Sequence, residues 1–157
     1  MTATKVIGES VKQTNRTFIK SYVEDYAKAI TENYKRYHIR TLNGNLSGNY
    51  PEYAREQLDA IENGTANLMK FKVYSGKRYY KIVQQEFETW EKSKYYGQYR
   101  DSSVHCFVDK ETGDVYKPAS WSAPAKHIRY TFQNVDHLKF LLNPDNVGWA
   151  GGYLYLR

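Results

Sequence analysis

Met69-Lys70-Phe71-Lys72-Val73-Tyr74-Ser75-Gly76-Lys77-Arg78-Tyr79-Tyr80-Lys81-Ile82-Val83-Gln84-Gln85 is the stretch at which the chain changes its periodicity. Met69, Phe71 and Val73 alternate with Lys70, Lys72 and Tyr74, the two-residue repeat of a half-buried strand. Ser75-Gly76-Lys77 is short enough for a hairpin connection, and Arg78 to Gln85 supplies the returning strand. Upstream of residue 68 the apolar positions of two segments repeat every three or four residues instead. Helices followed by hairpins predict an α+β fold in which two N-terminal helices pack on an antiparallel sheet.

Upstream, Phe18, Tyr22, Tyr26, Ile30, Tyr34 and Tyr37 recur at helical spacing, with Ile19, Val23 and Ala27 beside them. The spacing predicts an amphipathic helix from about Thr17 to about Arg40, its outer face carrying Lys20, Glu24, Asp25, Lys28, Glu32, Lys35 and Arg36. Residues 1–14 show no period and are expected to form a flexible lead, leaving 15–157 as one domain, helical over 15–67 and mainly β over 68–157. Leu42 to Asn49 reads as a Gly/Asn loop. Pro51 and Glu52 suit the first turn of a second helix, Tyr53, Ala54, Leu58 and Ile61 give it one face, and Asn63-Gly64 ends it.

Downstream, Phe87 to Arg100 fits either a short helix or a loop. Ser103 to Val108 reads as a strand with Val104, Cys106 and Val108 on one face and His105, Phe107 and Asp109 on the other. Asp109 to Asp114 is a tight turn into Val115-Tyr116-Lys117, a second hairpin. Pro118 and Pro124 hold the next segment extended or turned. A helical turn is expected over Asp136 to Leu142, stopped by Asn143-Pro144, and a glycine turn from Gly148 leads into a last short strand.

Composition bounds the function. The 157 residues, 41% apolar with 4 Pro and 10 Gly, are those of a globular chain. No window nears 18 consecutive apolar residues and the start has no apolar leader, so a cytoplasmic protein that makes no membrane contact is expected. Cys106 is the single cysteine, which excludes an internal disulfide and a multi-cysteine zinc site. The 16 Tyr, against 6 Phe and 3 Trp, bring hydroxyls that need partners wherever they are buried. The net charge of +6 is uneven: residues 1–67 carry 9 Lys/Arg against 8 Asp/Glu, and 68–157 carry 14 against 9. The second half is therefore the part suited to a polyanion.

Two basic sets stand out there. Lys70, Lys72, Lys77, Arg78 and Lys81 lie in a stretch without an acidic residue between Glu62 and Glu86. Lys117, Lys126, His127 and Arg129 alternate with Tyr116, Trp121 and Tyr130 in a second such stretch, between Asp114 and Asp136. Cations neutralise phosphates and aromatic faces stack bases, so the combination points to nucleic acid or a nucleotide. If the hairpins are neighbours, the two sets form one groove. Ser75-Gly76-Lys77-Arg78 lacks the second glycine and the following Ser/Thr of a phosphate loop. Asp109, Glu111 and Asp114 crowd a turn too short for a calcium loop, and turn chemistry accounts for them. No metal, cofactor or catalytic residue is therefore expected, and Cys106 reads as a buried small hydrophobe rather than a nucleophile.

The segment from Val104 to Tyr130, of the form VHxFVDKxTGxVYKPASWxAPAK, together with the tail Trp149-Ala150-Gly151-Gly152-Tyr153-Leu154-Tyr155, resembles a segment common in small proteins of tailed bacteriophages, cyanophage-like ones especially. The resemblance covers 104–157. It implies a viral origin and a place in the host cytoplasm or the virion, and it brings no catalytic residues with it.

The first reading is thus a small basic protein that binds nucleic acid or a nucleotide through a Lys/Arg and aromatic face. The alternative is a non-catalytic virion or host-interaction protein whose exposed Tyr and Trp anchor a protein contact. An enzyme would require His105 and His127 to converge with Lys117 or Arg129.

Overall fold

The computed structural model describes the backbone of residues 3–156 and the side chains of residues 16–156. Helix α1 runs Ala3–Asn45, about 65 Å at 1.5 Å per residue. It is longer at both ends than the 17–40 read from the periodicity. Residues 3–14, expected as an irregular lead, continue it as helix: no proline interrupts them, and Ala3, Lys5, Glu9, Lys12 and Gln13 are good helix formers. At the other end Leu42, expected in a loop, is buried and adds a further turn. Ile19, Val23, Tyr26, Ala27 and Ile30 form the buried stripe, while Phe18 and Tyr37 at its ends are exposed.

Helix α2 runs Pro51–Glu62 and buries Ala54. It closes as expected at Asn63-Gly64, with Gly64 at φ +79. Gly64 N–H bonds to the carbonyl of Ile61 and Thr65 N–H to that of Ala60, which satisfies two of the last carbonyls of the helix.

Five strands follow, β1 Lys70–Ser75, β2 Tyr79–Phe87, β3 Tyr99–Asp109, β4 Asp114–Tyr116 and β5 Tyr130–Thr131. They form one antiparallel sheet in sequence order. The segment left open between Phe87 and Arg100 proves to be the ends of β2 and β3 with a loop between them, in which Gly97 takes φ +75. Helix α3, Val135–Leu141, is capped by the Asn134 side chain, which accepts from the N–H groups of Asp136 and His137. The expected last strand is instead a single 3-10 turn over Gly152–Leu154. Gly151 at φ +82 reverses the chain there, and the Leu154 and Tyr155 N–H groups bond back to Gly151 and Gly152, so no edge is offered to a neighbouring strand.

The principal core lies between α1 and one face of the sheet, where Phe71, Tyr80, Ile82, Cys106, Val108 and Val115 meet Val23, Tyr26 and Ile30, closed by Phe132, Leu141, Val147 and Leu154. The β2–β3 ladder departs from strict alternation twice. Ile82 pairs with Cys106 but Val83 with Val104, and Gln84 pairs with Ser103 but Gln85 with Asp101. His105 and Ser102 are thus the extra residues of two β-bulges. The first bulge corrects the alternation argument: Val104 pairs with Val83 on the outer face, away from Cys106 and Val108. His105 turns to the core side, its ring packed edge-on against Phe71 at 5.4 Å. The second bulge restores the alternation and returns Asp101 to the outer face.

Candidate nucleic-acid interface

The outer face, opposite α1, takes its residues from the complementary half of each strand. Lys70, Lys72 and Tyr74 of β1 stand opposite Gln85, Val83 and Lys81 of β2, and Lys81 opposite Phe107 of β3. Phe107 pairs in turn with Tyr116 of β4. Val83 and Phe107 are buried even though they point away from the main core.

A strap crosses one side of this face. Residues 118–124 close on themselves through a Pro118–Pro124 bridge, and the Ala119 and Ser120 N–H groups bond to the Ala123 carbonyl. Two prolines limit the entropy such a loop must lose to be ordered. The strap carries Trp121, 46% exposed. Lys81 Nζ donates to the Trp121 carbonyl at 2.8 Å and lies 4.5 Å from the centre of the indole ring. One lysine therefore fastens the strap to the sheet and holds a positive charge against its aromatic face.

Between strap and β1–β2 turn lies a groove of about 600 Å³, lined by Tyr74, Lys77, Arg78, Tyr79, Lys81, Asp101, Phe107 and Trp121 among others. Its floor is aromatic: Tyr79 meets Phe107 and Tyr116 edge-on at 5.9 and 6.1 Å. Its rim is cationic. Along the same face Lys70 sits over Tyr99 at 3.9 Å, Lys72 over Tyr74 at 4.9 Å and Arg78 over Tyr79 at 5.1 Å. Asp101 is the one carboxylate among the described lining residues. The Tyr74 hydroxyl donates to it at 2.9 and 3.1 Å, and Gln85 Nε2 donates at 2.8 Å. Desolvation, then the Asp101 hydrogen bond and charge, raise the Tyr74 pKa, so its hydroxyl keeps the donor role.

The structure brings Lys70, Lys72, Lys77, Arg78, Lys81, Tyr116 and Trp121 to this outer face or its rim, and parts them from the rest of the second set. Tyr130 stacks on Phe140 at 5.2 Å and donates to the Tyr153 carbonyl. Arg129 is a clamp, giving its guanidinium to the carbonyls of Leu154, Lys126 and His127 at 2.6 Å each. Lys126 and His127 are exposed beside it, His127 at φ +72. Lys117 lies over Tyr155 at 4.8 Å. Tyr74 and Tyr79, tyrosines of the basic second half, belong to the groove as well, and so do Phe107 and Asp101, which the charge pattern does not mark. Tyr74 shares the face of Lys70 and Lys72 in the two-residue repeat, which is the signal that places it there.

Asp109, buried at the end of β3, pairs with Arg78 at 3.5 Å, while the other buried titratable groups lie on the far side of the sheet. His105 Nε2 is 2.7 Å from the Tyr153 hydroxyl, which is 2.5 Å from that of Tyr26. Burial lowers the His105 pKa to about 4, only partly opposed by its hydrogen bond to the backbone of Trp149. Burial pushes the Cys106 thiol up to about 12. These groups are enclosed and spend their polar atoms on one another. Among the described residues no cluster of His, Cys, Asp and Glu is arranged to hold a metal ion.

An α1-backed antiparallel meander with a basic, aromatic outer face defines a small α+β domain. The chain belongs to the family of unknown function DUF7717, which matches residues 5–156. No curated protein and no solved structure matches it. Among the described residues no helix is long and apolar enough to cross a membrane.

Proposed function

We propose that this protein binds single-stranded nucleic acid across the outer face of its sheet. The observation that carries the reading is the series of cation–aromatic couples on that one face, Lys70 with Tyr99, Lys72 with Tyr74, Arg78 with Tyr79 and Lys81 with Trp121. Each offers both things a nucleotide needs, a charge for the phosphate and a π-face for the base, and stacking contributes about 1–3 kcal/mol per base. A groove flanked by a strap admits a single strand more readily than a stiff duplex. The resemblance over 104–157 makes a bacteriophage-encoded protein part of the same proposal.

Equilibrium titration with short single-stranded oligonucleotides at two ionic strengths tests it. Binding that weakens steeply with salt and is lost in Trp121→Ala supports the reading, and no binding at micromolar protein removes it. A protein partner is the second reading, favoured by Tyr50 and Tyr53, 78% and 60% exposed at the start of α2. Capture of a host protein that survives nuclease treatment and is lost in Tyr53→Ala would favour it.

A further inference from the structure

Resting on that reading, we infer that Asp101 makes the groove selective for bases that carry an exocyclic amino group, cytosine over thymine or uracil. Asp101 is the one carboxylate that lines the groove, where it works against phosphate and suits a donor on another part of the ligand. Asp101 is set there by backbone irregularity: the β-bulge at Ser102 lies immediately beside it, and bulges recurrently re-aim a side chain at a site. Its carboxylate is held by Tyr74 and Gln85 through contacts of 2.8 to 3.1 Å. Both partners are donors, so they fix the carboxylate as an acceptor. A carboxylate has about four lone-pair positions; the single Tyr74 O–H, shared between both oxygens, and one Gln85 N–H use about two of them, which leaves acceptor capacity for a ligand.

Asp101 and Trp121 line the same groove. A base stacked on Trp121, with its phosphates drawn toward Lys77 and Arg78 at the rim, turns its edge inward toward Asp101. The amino group of cytosine donates to a carboxylate, the pairing that Asp and Glu make with that base elsewhere. Thymine and uracil place a carbonyl oxygen at the same position, where two acceptors oppose each other. Stacking area is nearly equal for these pyrimidines, so the edge decides between them. One hydrogen bond to a charged group corresponds to a preference on the order of tenfold.

The test is a competition between short homopolymers of deoxycytidylate and thymidylate, at neutral pH and fixed salt, for the wild-type protein and for Asp101→Asn. Asp101 is exposed, and the wild-type ratio is itself a readout that needs no variant. Deoxycytidylate is expected to bind about tenfold tighter, with the ratio falling toward one in Asp101→Asn, whose amide can donate to the thymine carbonyl. Equal binding of both homopolymers by the wild type, or a preference that survives Asp101→Asn, overturns the inference while leaving the proposed function standing. If neither homopolymer binds, both fall together.

Discussion

His105 Nε2 and the Tyr153 hydroxyl, 48 residues apart in sequence, meet at 2.7 Å inside the core. His105 also hydrogen-bonds the backbone of Trp149, and the Tyr153 hydroxyl lies 2.5 Å from that of Tyr26, so the three side chains form one hydrogen-bonded chain. The chain joins α1, the bulge of β3 and the C-terminal segment, and burial keeps its imidazole neutral.

Acid should therefore destabilise the fold over a defined window. His105 is held at about 4 in the folded protein, below the ordinary value near 6.5. Between those values the unfolded chain binds the proton and the folded chain does not, so stability rises with pH across the window and is complete above it. Falling pH should remove about 3 kcal/mol by pH 4. Urea midpoints measured across this range should fall with acid in the wild type and flatten in His105→Gln.

Tyr153→Phe should leave His105 Nε2 and the Tyr26 hydroxyl without their shared partner. A buried polar group so stranded costs about 1–3 kcal/mol. The expected result is a lower urea midpoint with an unchanged slope, and Tyr26→Phe combined with it should cost less than the sum of the two single changes.

The Cys106 thiol, fully buried and pushed up to about 12, should not react with iodoacetamide in the folded protein at neutral pH. Alkylation followed by mass spectrometry should show modification only in denaturant, with a rate that tracks the unfolded fraction.

Gly113 sits at φ +74 in the β3–β4 turn, and a Cβ there would lie 3.0 Å from that of Phe132. Gly113→Ala meets both backbone strain and a clash with a core residue, and should cost roughly 2 kcal/mol or more. Gly97, at φ +75 with open space around it, meets only the first, so Gly97→Ala should cost about half as much. Thermal denaturation of the two variants compares them directly.

What the sequence allowed to be read follows from how local each signal is. The two hairpins, the Asn63-Gly64 helix end and α3 rest on neighbours a few residues apart, and they stand where the pattern put them. The His105 bulge does not: whether Val83 faces Val104 or His105 is a property of two strands together, and alternation along β3 alone assigned the wrong face. The groove divides in the same way. The lysines of the first hairpin were legible as a set, whereas the contact of Lys81 with Trp121 spans 40 residues and depends on how the strap folds back. Arg129 was chosen for its charge, but a guanidinium that satisfies three carbonyls is committed to the protein, and charge counted along a chain cannot show that.

If the outer face carries the phosphates, each lysine removed should reduce the salt dependence of binding. Lys72→Ala and Lys77→Ala should each lower the slope of log affinity against log salt by about 0.7, the single-strand value per contact. Lys28→Ala, on the exposed face of α1, should leave the slope unchanged.

The central claim is the location of the strand, and an amide NMR titration with a short single-stranded oligonucleotide tests it most directly. The account predicts shifts concentrated on β1, β2 and residues 119–123, with α1 and the Tyr26–Tyr153–His105 chain unmoved. Saturable binding whose shifts fall instead on α1, α2 or the Arg129 region, or no shifts at millimolar oligonucleotide in low salt, would contradict it.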